Sequence, residues 1–256
     1  MISITILGTG NVAQNLFEAF LLADGVEVLQ VVGRAVDKMN YFKNRTTLVS
    51  YEEKLDPTDI YIIAVTDDAI GEVSGKIVTS GLVVHTSGAV GLSALETHER
   101  QGVFYPLQTF TKGRILDFFK VPLCIEATNE NDLKLLYRLG KTISSNVAPI
   151  ASDKRKALHV SAVFVSNFTN YMYTIGEELC KQNQLDFSLL KPLIKETGEK
   201  LDFLNPFEAQ TGPARRGDLQ TLHIHLSQLK SKKHREIYTL LSNTIKASYP
   251  IENDKS

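Results

Sequence analysis

The chain begins with Ile2-Ser3-Ile4-Thr5-Ile6-Leu7 and runs straight into Gly8-Thr9-Gly10-Asn11-Val12-Ala13. An alternating-to-apolar stretch, a G-x-G-x-x-A turn and a helix-period pattern in direct succession predict strand, phosphate-binding turn and helix. Each small residue has its own reason. Gly8 permits the tight turn, Gly10 leaves bare backbone for a pyrophosphate to approach, and Ala13 lets the helix pack against the strand. Val12, Leu16, Ala19, Phe20 and Ala23 recur at helical spacing, so the required helix is present. Its first turn, with Asn11 and Val12, offers unpaired N–H groups and a positive dipole end to phosphate oxygens. The bland alternative is a glycine turn in some other α/β domain.

A second strand, Val26 to Val32, ends at Gly33-Arg34. In an NAD-binding unit the tip of this strand carries an acid that bonds the ribose 2′-hydroxyl, and none is present. Arg34 stands there instead, with Lys38 one turn on, which suits a 2′-phosphate and hence NADP; a plain surface arginine is the other reading. Asp59 to Val65 is near-continuously apolar, as a central parallel strand covered on both faces requires. It stops at Thr66-Asp67-Asp68. Asp67 or Asp68 would serve as a helix cap, or Val65, Thr66 and Asp67 would line the cofactor crevice at the carboxyl edge of the sheet. Leu82 to His85 is followed by Thr86-Ser87-Gly88, where Ser87 and Gly88 either face the same crevice or Ser87 caps a following helix. Val103 to Leu107, halted by Pro106, leads into a loop at Gln108-Thr109-Phe110. Segments at Pro122 to Glu126, a helix over Glu130 to Ile143 and Asn146 to Ile150 complete an α/β domain spanning residues 1–150.

Residues 151–256 read as a smaller, all-helical domain. Lys154 through Gln182 has no proline and predicts one long helix whose middle is apolar on nearly every side, expected to be buried between domains or subunits. Lys156, His159, Val163, Ser166, Asn167 and Asn170 share one face of it. Such a polar stripe either lines a cleft or satisfies itself internally. Further helices are expected at Phe187 to Leu201, Gly217 to Leu229 and Lys233 to Ser248. The stretch from Asn205 to Asp218 holds two prolines, two glycines and the pair Arg215-Arg216; loops of that length are often functional. His223 and His225, two apart on a helix, point in different directions and argue against a metal pair.

Composition excludes several classes. The 256 residues carry a net charge of −1, and neither half is basic enough for a nucleic-acid footprint. No apolar run is long enough to span a bilayer and the first strand has no basic leader, so a cytoplasmic protein without membrane partners is expected. Cys124 and Cys180 have no metal-ligand spacing and read as buried thiols.

Taken together, G-T-G-N-V-A, A-V-T-D-D-A-I, H-T-S-G-A, Y-P-L-Q-T-F, L-H-V-S-A-V-F-V-S-N and T-G-P-A-R-R-G-D form a recognisable series. The chain resembles the NADP oxidoreductases that pair a Rossmann-like domain with an uncharacterised helical C-terminal domain. In plan these are similar to pyrroline-5-carboxylate reductase and the β-hydroxyacid dehydrogenases. The resemblance implies a helical domain that commonly dimerises, here as a homodimer, and a site between the domains. Residue by residue it maps to Gly8, Gly10 and Ala13; to Thr66, Asp67, Ser87 and Gly88; and to His159, Asn167, Gly212, Pro213, Arg216 and Asp218. One departure stands out: Tyr105-Pro106-Leu107 where His-Pro-Leu is expected, so any role of that histidine is altered or filled by Tyr105. The chemistry expected is NADP-dependent reduction or oxidation of a small carbonyl, hydroxyl or imine substrate. His159 would be the proton donor, since imidazole titrates near neutrality. Asn167 or Ser87 would orient the substrate and Arg216 would grip an anionic group. A non-catalytic dinucleotide-binding sensor or assembly protein is the rival reading.

Overall fold

A computed structural model of the protein describes residues 1–34 and 39–249; Lys38 lies outside the described residues. The chain divides into two compact units, Met1–Phe168 and Thr169–Ser256. The first therefore extends past the expected boundary at 150 and takes in the start of the long C-terminal helix.

The first unit is built on one eight-stranded sheet: β1 (Ile2–Leu7), β2 (Val26–Gly33), β3 (Thr47–Ser50), β4 (Ile60–Ile63), β5 (Leu82–His85), β6 (Gln101–Pro106), β7 (Leu123–Ala127) and β8 (Val147–Pro149). Its order is β3-β2-β1-β4-β5-β6-β7-β8. Strands β3 to β6 in that order are parallel neighbours, the doubly wound arrangement expected from the glycine turn. Strand β7 runs antiparallel to β6 and parallel to β8. A parallel neighbour would need a crossover, and residues 107–122 contain only a short 3-10 turn, so the chain folds back beside β6 instead.

Apolar residues bury both faces. Ile4, Ile6, Leu16, Phe17, Phe20 and Ile62 fill one layer beneath α1 (Asn11–Leu21), with Ala13 fully buried where helix meets strand. Leu7, Val32, Tyr61, Ile63 and Val83 fill the other layer against the short helix α2 (Ile70–Ser74). Helix α3 (Glu130–Ile143) is capped by Asn129, whose side chain accepts the Asp132 N–H.

Beyond β8 comes α4 (Ser152–Ala162), which passes through a π-helical stretch, Val163–Phe168, into α5 (Thr169–Gln182). The long helix expected from the sequence is thus continuous, but it is not uniform. Nor is it buried all round: among the described residues nothing covers Val160 and Val165, which are 57% and 75% exposed.

The second unit continues with α6 (Lys191–Glu199), α7 (Pro206–Ala209), α8 (Leu219–Gln228) and α9 (Lys232–Ser248). The Asn205–Asp218 stretch, expected as a loop, begins with α7, which Asn205 and Glu208 close as a reciprocal capping box. Asp218 caps α8 by accepting the Thr221 N–H. Arg215 pins the stretch, donating to the Glu208 and Gln210 carbonyls and lying over the Tyr249 ring.

Candidate active site

Two cavities lie at the carboxyl edge of the sheet, both within the first unit. The first, of about 540 Å³, follows the strand ends from Tyr51, past Arg34 at the tip of β2 and the Gly8–Val12 turn, to Ala64, Val65 and Thr66 after β4. Gln108 and Phe110 complete it. Gly8 has φ +128°, and a Cβ there would fall 2.2 Å from the Ala64 carbonyl oxygen, so no other residue fits the turn. Gly10 caps α1 without a side-chain bond, and a Cβ placed on it would meet nothing. Open space in front of a helix N-terminus is what a pyrophosphate needs.

The floor of this crevice is held by amides. Asn11 donates to the Phe110 carbonyl at 3.0 Å. Asn15, almost fully buried, donates to the carbonyls of Asn11 and Arg114 and accepts the Leu116 N–H. These bonds tie the loop after β6 to the first helix, which explains how Gln108 and Phe110 come to face the glycine turn. Arg34 is exposed at the far end, and its charge acts on the Tyr51 phenol, which burial nevertheless holds above its ordinary range.

The second cavity, of about 480 Å³, is lined by Tyr105, Leu107, Gln108 and Thr109 from the end of β6 and by the helix from Leu158 to Asn167. Of the polar stripe read from the sequence, His159, Val163, Ser166 and Asn167 line this cavity, while Lys156 and Asn170 do not. Regular α-helical spacing already puts Val163, Ser166 and Asn167 on one face, and the π-helical stretch adds Val165 to the lining. Tyr105 Oη lies 3.1 Å from His159 Nδ1. A Cβ on Gly88 would sit 2.7 Å from both that nitrogen and the Tyr105 ring, so the tyrosine–histidine pair is seated directly on glycine. Burial raises the Tyr105 phenol above its usual range, which keeps its proton in place at neutral pH.

Beneath the pair is a buried polar layer. His85, fully buried at the end of β5, accepts the Ser87 N–H on Nδ1 at 3.2 Å. Burial first, and then the Arg155 charge, pull its imidazole down to about 4, so it is neutral at physiological pH. Arg155, one helical turn before His159, is completely buried; it pairs with Glu126 of β7 and donates to the Val90 carbonyl. Glu126 also accepts from the backbone and hydroxyl of Ser152. This network fastens the start of α4 to the turn after β5.

The residues singled out in the sequence separate accordingly. Gly8, Gly10, Asn11, Val12, Arg34, Val65 and Thr66 line the crevice, while Ala13 lies in the core below it. Asp67 and Asp68 are exposed and neither caps a helix; Thr66 takes the cap position with no side-chain bond. Ser87 accepts the Ala89 and Val90 N–H groups at 3.1 Å each, closing its own turn. Arg216 is exposed in the second unit. Tyr51, Gln108 and Phe110 were not foreseen as site residues. A signal for the last two lay in Pro106, which ends β6 at the sheet edge where ligands gather.

Residues 3–86 match the family described as NADP oxidoreductase coenzyme F420-dependent, and residues 121–245 match a domain of unknown function, DUF2520. A putative NADP oxidoreductase of Bacteroides fragilis is 35% identical, with 96% of this chain and 98% of that one covered and a TM-score of 0.88. The chain belongs to this NADP oxidoreductase family. The fold of the family member is also that of a reductive aminase of Aspergillus terreus, solved with NADPH and ethyl levulinate, at 11% identity, 97% and 93% coverage and TM-score 0.68. It is shared again with a 1-pyrroline-5-carboxylate reductase of Streptococcus pyogenes, at 13% identity, 96% and 98% coverage and TM-score 0.60. No curated protein matches the sequence. The cofactor of the family is NADP, and the crevice fits it: bare backbone at Gly10, a helix N-terminus, and an arginine rather than an acid at the tip of β2.

Proposed function

We propose that the protein is an NADP-dependent reductase of a small imine or carbonyl substrate, with oxidation of the corresponding amine or alcohol as the reverse reaction. The observation that carries this reading is the Tyr105–His159 hydrogen bond at the mouth of a mostly apolar cavity that shares Gln108 with the cofactor crevice. When bound, NADPH supplies a hydride. The chain then has to place the substrate carbon near the crevice and deliver one proton to its nitrogen or oxygen. Tyr105, kept protonated by burial, donates that proton, and His159 across the 3.1 Å bond returns one to the phenol oxygen. Asn167 and Ser166 hold the substrate's polar atoms from the π-helical side. In this reading Ser87 shapes the turn beneath the pair.

The departure from His-Pro-Leu supports the role of Tyr105, since its hydroxyl occupies a place beside His159 that a second imidazole would otherwise fill. The same reading takes the protein as a cytoplasmic homodimer. Among the described residues no helix is long and apolar enough to cross a membrane. The dimer is supported by apolar side chains left exposed on the long helix and the second unit, among them Val160, Leu189, Leu193, Phe203 and Leu240.

The test is NADPH oxidation followed at fixed enzyme against cyclic imines, ketones, aldehydes and ketoacids, for the wild type and Tyr105→Phe. Turnover of at least one imine or carbonyl that falls sharply in the variant is expected. NADPH binding without turnover of any member of the panel would replace this reading with that of a dinucleotide-binding sensor.

A further inference from the structure

Among the described residues, Gln108 is the one that lines both cavities. Its side chain is also oriented. The amide oxygen Oε1 accepts the Thr109 backbone N–H at 2.8 Å and the Thr109 hydroxyl at 3.4 Å. A backbone N–H can only donate, so this pair fixes which end of the amide is oxygen and which is nitrogen. Among the described residues no hydrogen bond from the NH2 group is formed. The backbone beneath is equally fixed: Gln108 N–H donates to the Pro106 carbonyl at 2.9 Å, and the loop is tied to α1 through Asn11 and Phe110.

The order of strands says what should meet that NH2 group. Arg34 and Tyr51 mark one end of the crevice, at the tips of β2 and β3; the Gly8–Val12 turn after β1 holds the middle; Gln108, after β6, marks the other end. From β2 to β6 there are four strand intervals, about 19 Å at the usual spacing. A dinucleotide with its 2′-phosphate at Arg34 and its pyrophosphate at the glycine turn therefore extends its nicotinamide half toward Gln108. That is the half that must reach the Tyr105–His159 cavity.

We infer that Gln108 is a positioning residue for the nicotinamide half of the cofactor, its side-chain NH2 donating to an acceptor oxygen of that half and so setting the ring at the junction with the substrate cavity. The inference rests on the cofactor lying along this crevice. A donor oriented by its own loop loses little freedom on binding, so one hydrogen bond there contributes near the upper part of the usual range.

The experiment measures the affinities of NADPH and of 2′,5′-ADP, which lacks the nicotinamide half, by calorimetry in wild type, Gln108→Glu and Gln108→Ala. Gln108→Glu retains an acceptor for Thr109 N–H, so the loop stays closed, while replacing the donors by a charged oxygen; Gln108→Ala removes the donors without adding charge and separates the lost hydrogen bond from repulsion. The expected result is a loss of NADPH affinity of about three- to tenfold in both variants, with 2′,5′-ADP binding within about twofold of wild type. Unchanged NADPH affinity would overturn the inference, as would an equal loss for both ligands, which would mark Gln108 as a structural residue of the loop. Failure of the wild type to bind either ligand would instead overturn the placement of the cofactor itself.

Discussion

The two units make unequal use of their apolar residues. In the first, the strands and α1 seal Ile4, Ile6, Leu16, Phe17 and Ile62 completely, and even an arginine and a histidine are enclosed. In the second, the buried side chains among the described residues are Ala209, Ala214, Leu222 and His234, while Leu189, Leu193, Phe203, Leu240 and others of similar size stay exposed. Parallel strands bury two faces within one chain, whereas short helices packed in a thin layer cover one face each. The first unit therefore lines both of its large cavities with its own residues. The second has surface to spare, and the proposed homodimer is where that surface would be used.

The largest effect that would sharpen this contrast belongs to the Tyr105–His159 cavity. His159→Ala and Tyr105→Phe are each expected to lower kcat by roughly 100- to 1,000-fold, the range for removing a positioned proton donor. NADPH affinity, measured by fluorescence titration, should stay within about twofold. If either variant lost cofactor binding and turnover together, the pair would belong to the architecture rather than to the chemistry.

Next comes the polar layer under that site. His85 is held at about 4, below its ordinary value near 6.5. As pH falls below 6.5 the unfolded chain takes up a proton that the folded one does not, so stability is lost between pH 6.5 and 4 and the loss levels off below that. The shift corresponds to roughly 3 kcal/mol for this one group. Urea unfolding between pH 7 and pH 4 should show a steeper decline for wild type than for His85→Gln. Parallel curves would mean that water reaches the ring and the first unit is less sealed than its core suggests.

For the second unit, light scattering at micromolar concentration should find a dimer. Leu189→Asp combined with Leu193→Asp, both exposed in the single chain, should weaken it by about 2 kcal/mol or more if these residues lie in its centre. A monomeric wild type would remove the explanation offered here for the bare apolar surface. The smallest effect concerns the crevice rim: Arg34→Ala should cost NADPH about 1–2 kcal/mol of affinity and leave NADH nearly unchanged. Equal losses for the two cofactors would detach Arg34 from the 2′-phosphate.

The same contrast explains what could be read in advance. Strands β4 and β5 are legible as the near-continuous apolar runs of central parallel strands, and β1 and β2 as stretches rich in β-branched residues. Strand β3, Thr47–Ser50, escaped because four residues at a sheet edge carry too little pattern. The direction of β7 was available in the absence of a crossover helix over residues 107–122, but an apolar run looks the same in either direction. Gly8 and Gly10 announce themselves through spacing. Gln108, Phe110 and Tyr51 do not, because they reach the crevice through loop tethers such as Asn11 to Phe110, made by residues 99 positions apart. His159 was visible as part of a stripe, while its partner Tyr105 was visible only as a departure from a motif. Arg215 and Arg216 are adjacent in sequence, and only packing distinguishes the pin from its exposed neighbour.

The π-helical stretch from Val163 to Phe168 has one more consequence. A π turn spends more residues per revolution than an α turn, so it acts as a phase shifter within an otherwise regular rod. Removing a single residue between His159 and Ser166 would restore α geometry and turn Ser166 and Asn167 by about 100° around the axis relative to His159. The length of this stretch is thus a setting, counted in single residues, that fixes which side chains share the face of His159 within the first unit. Insertions or deletions within it should be far less tolerated than substitutions.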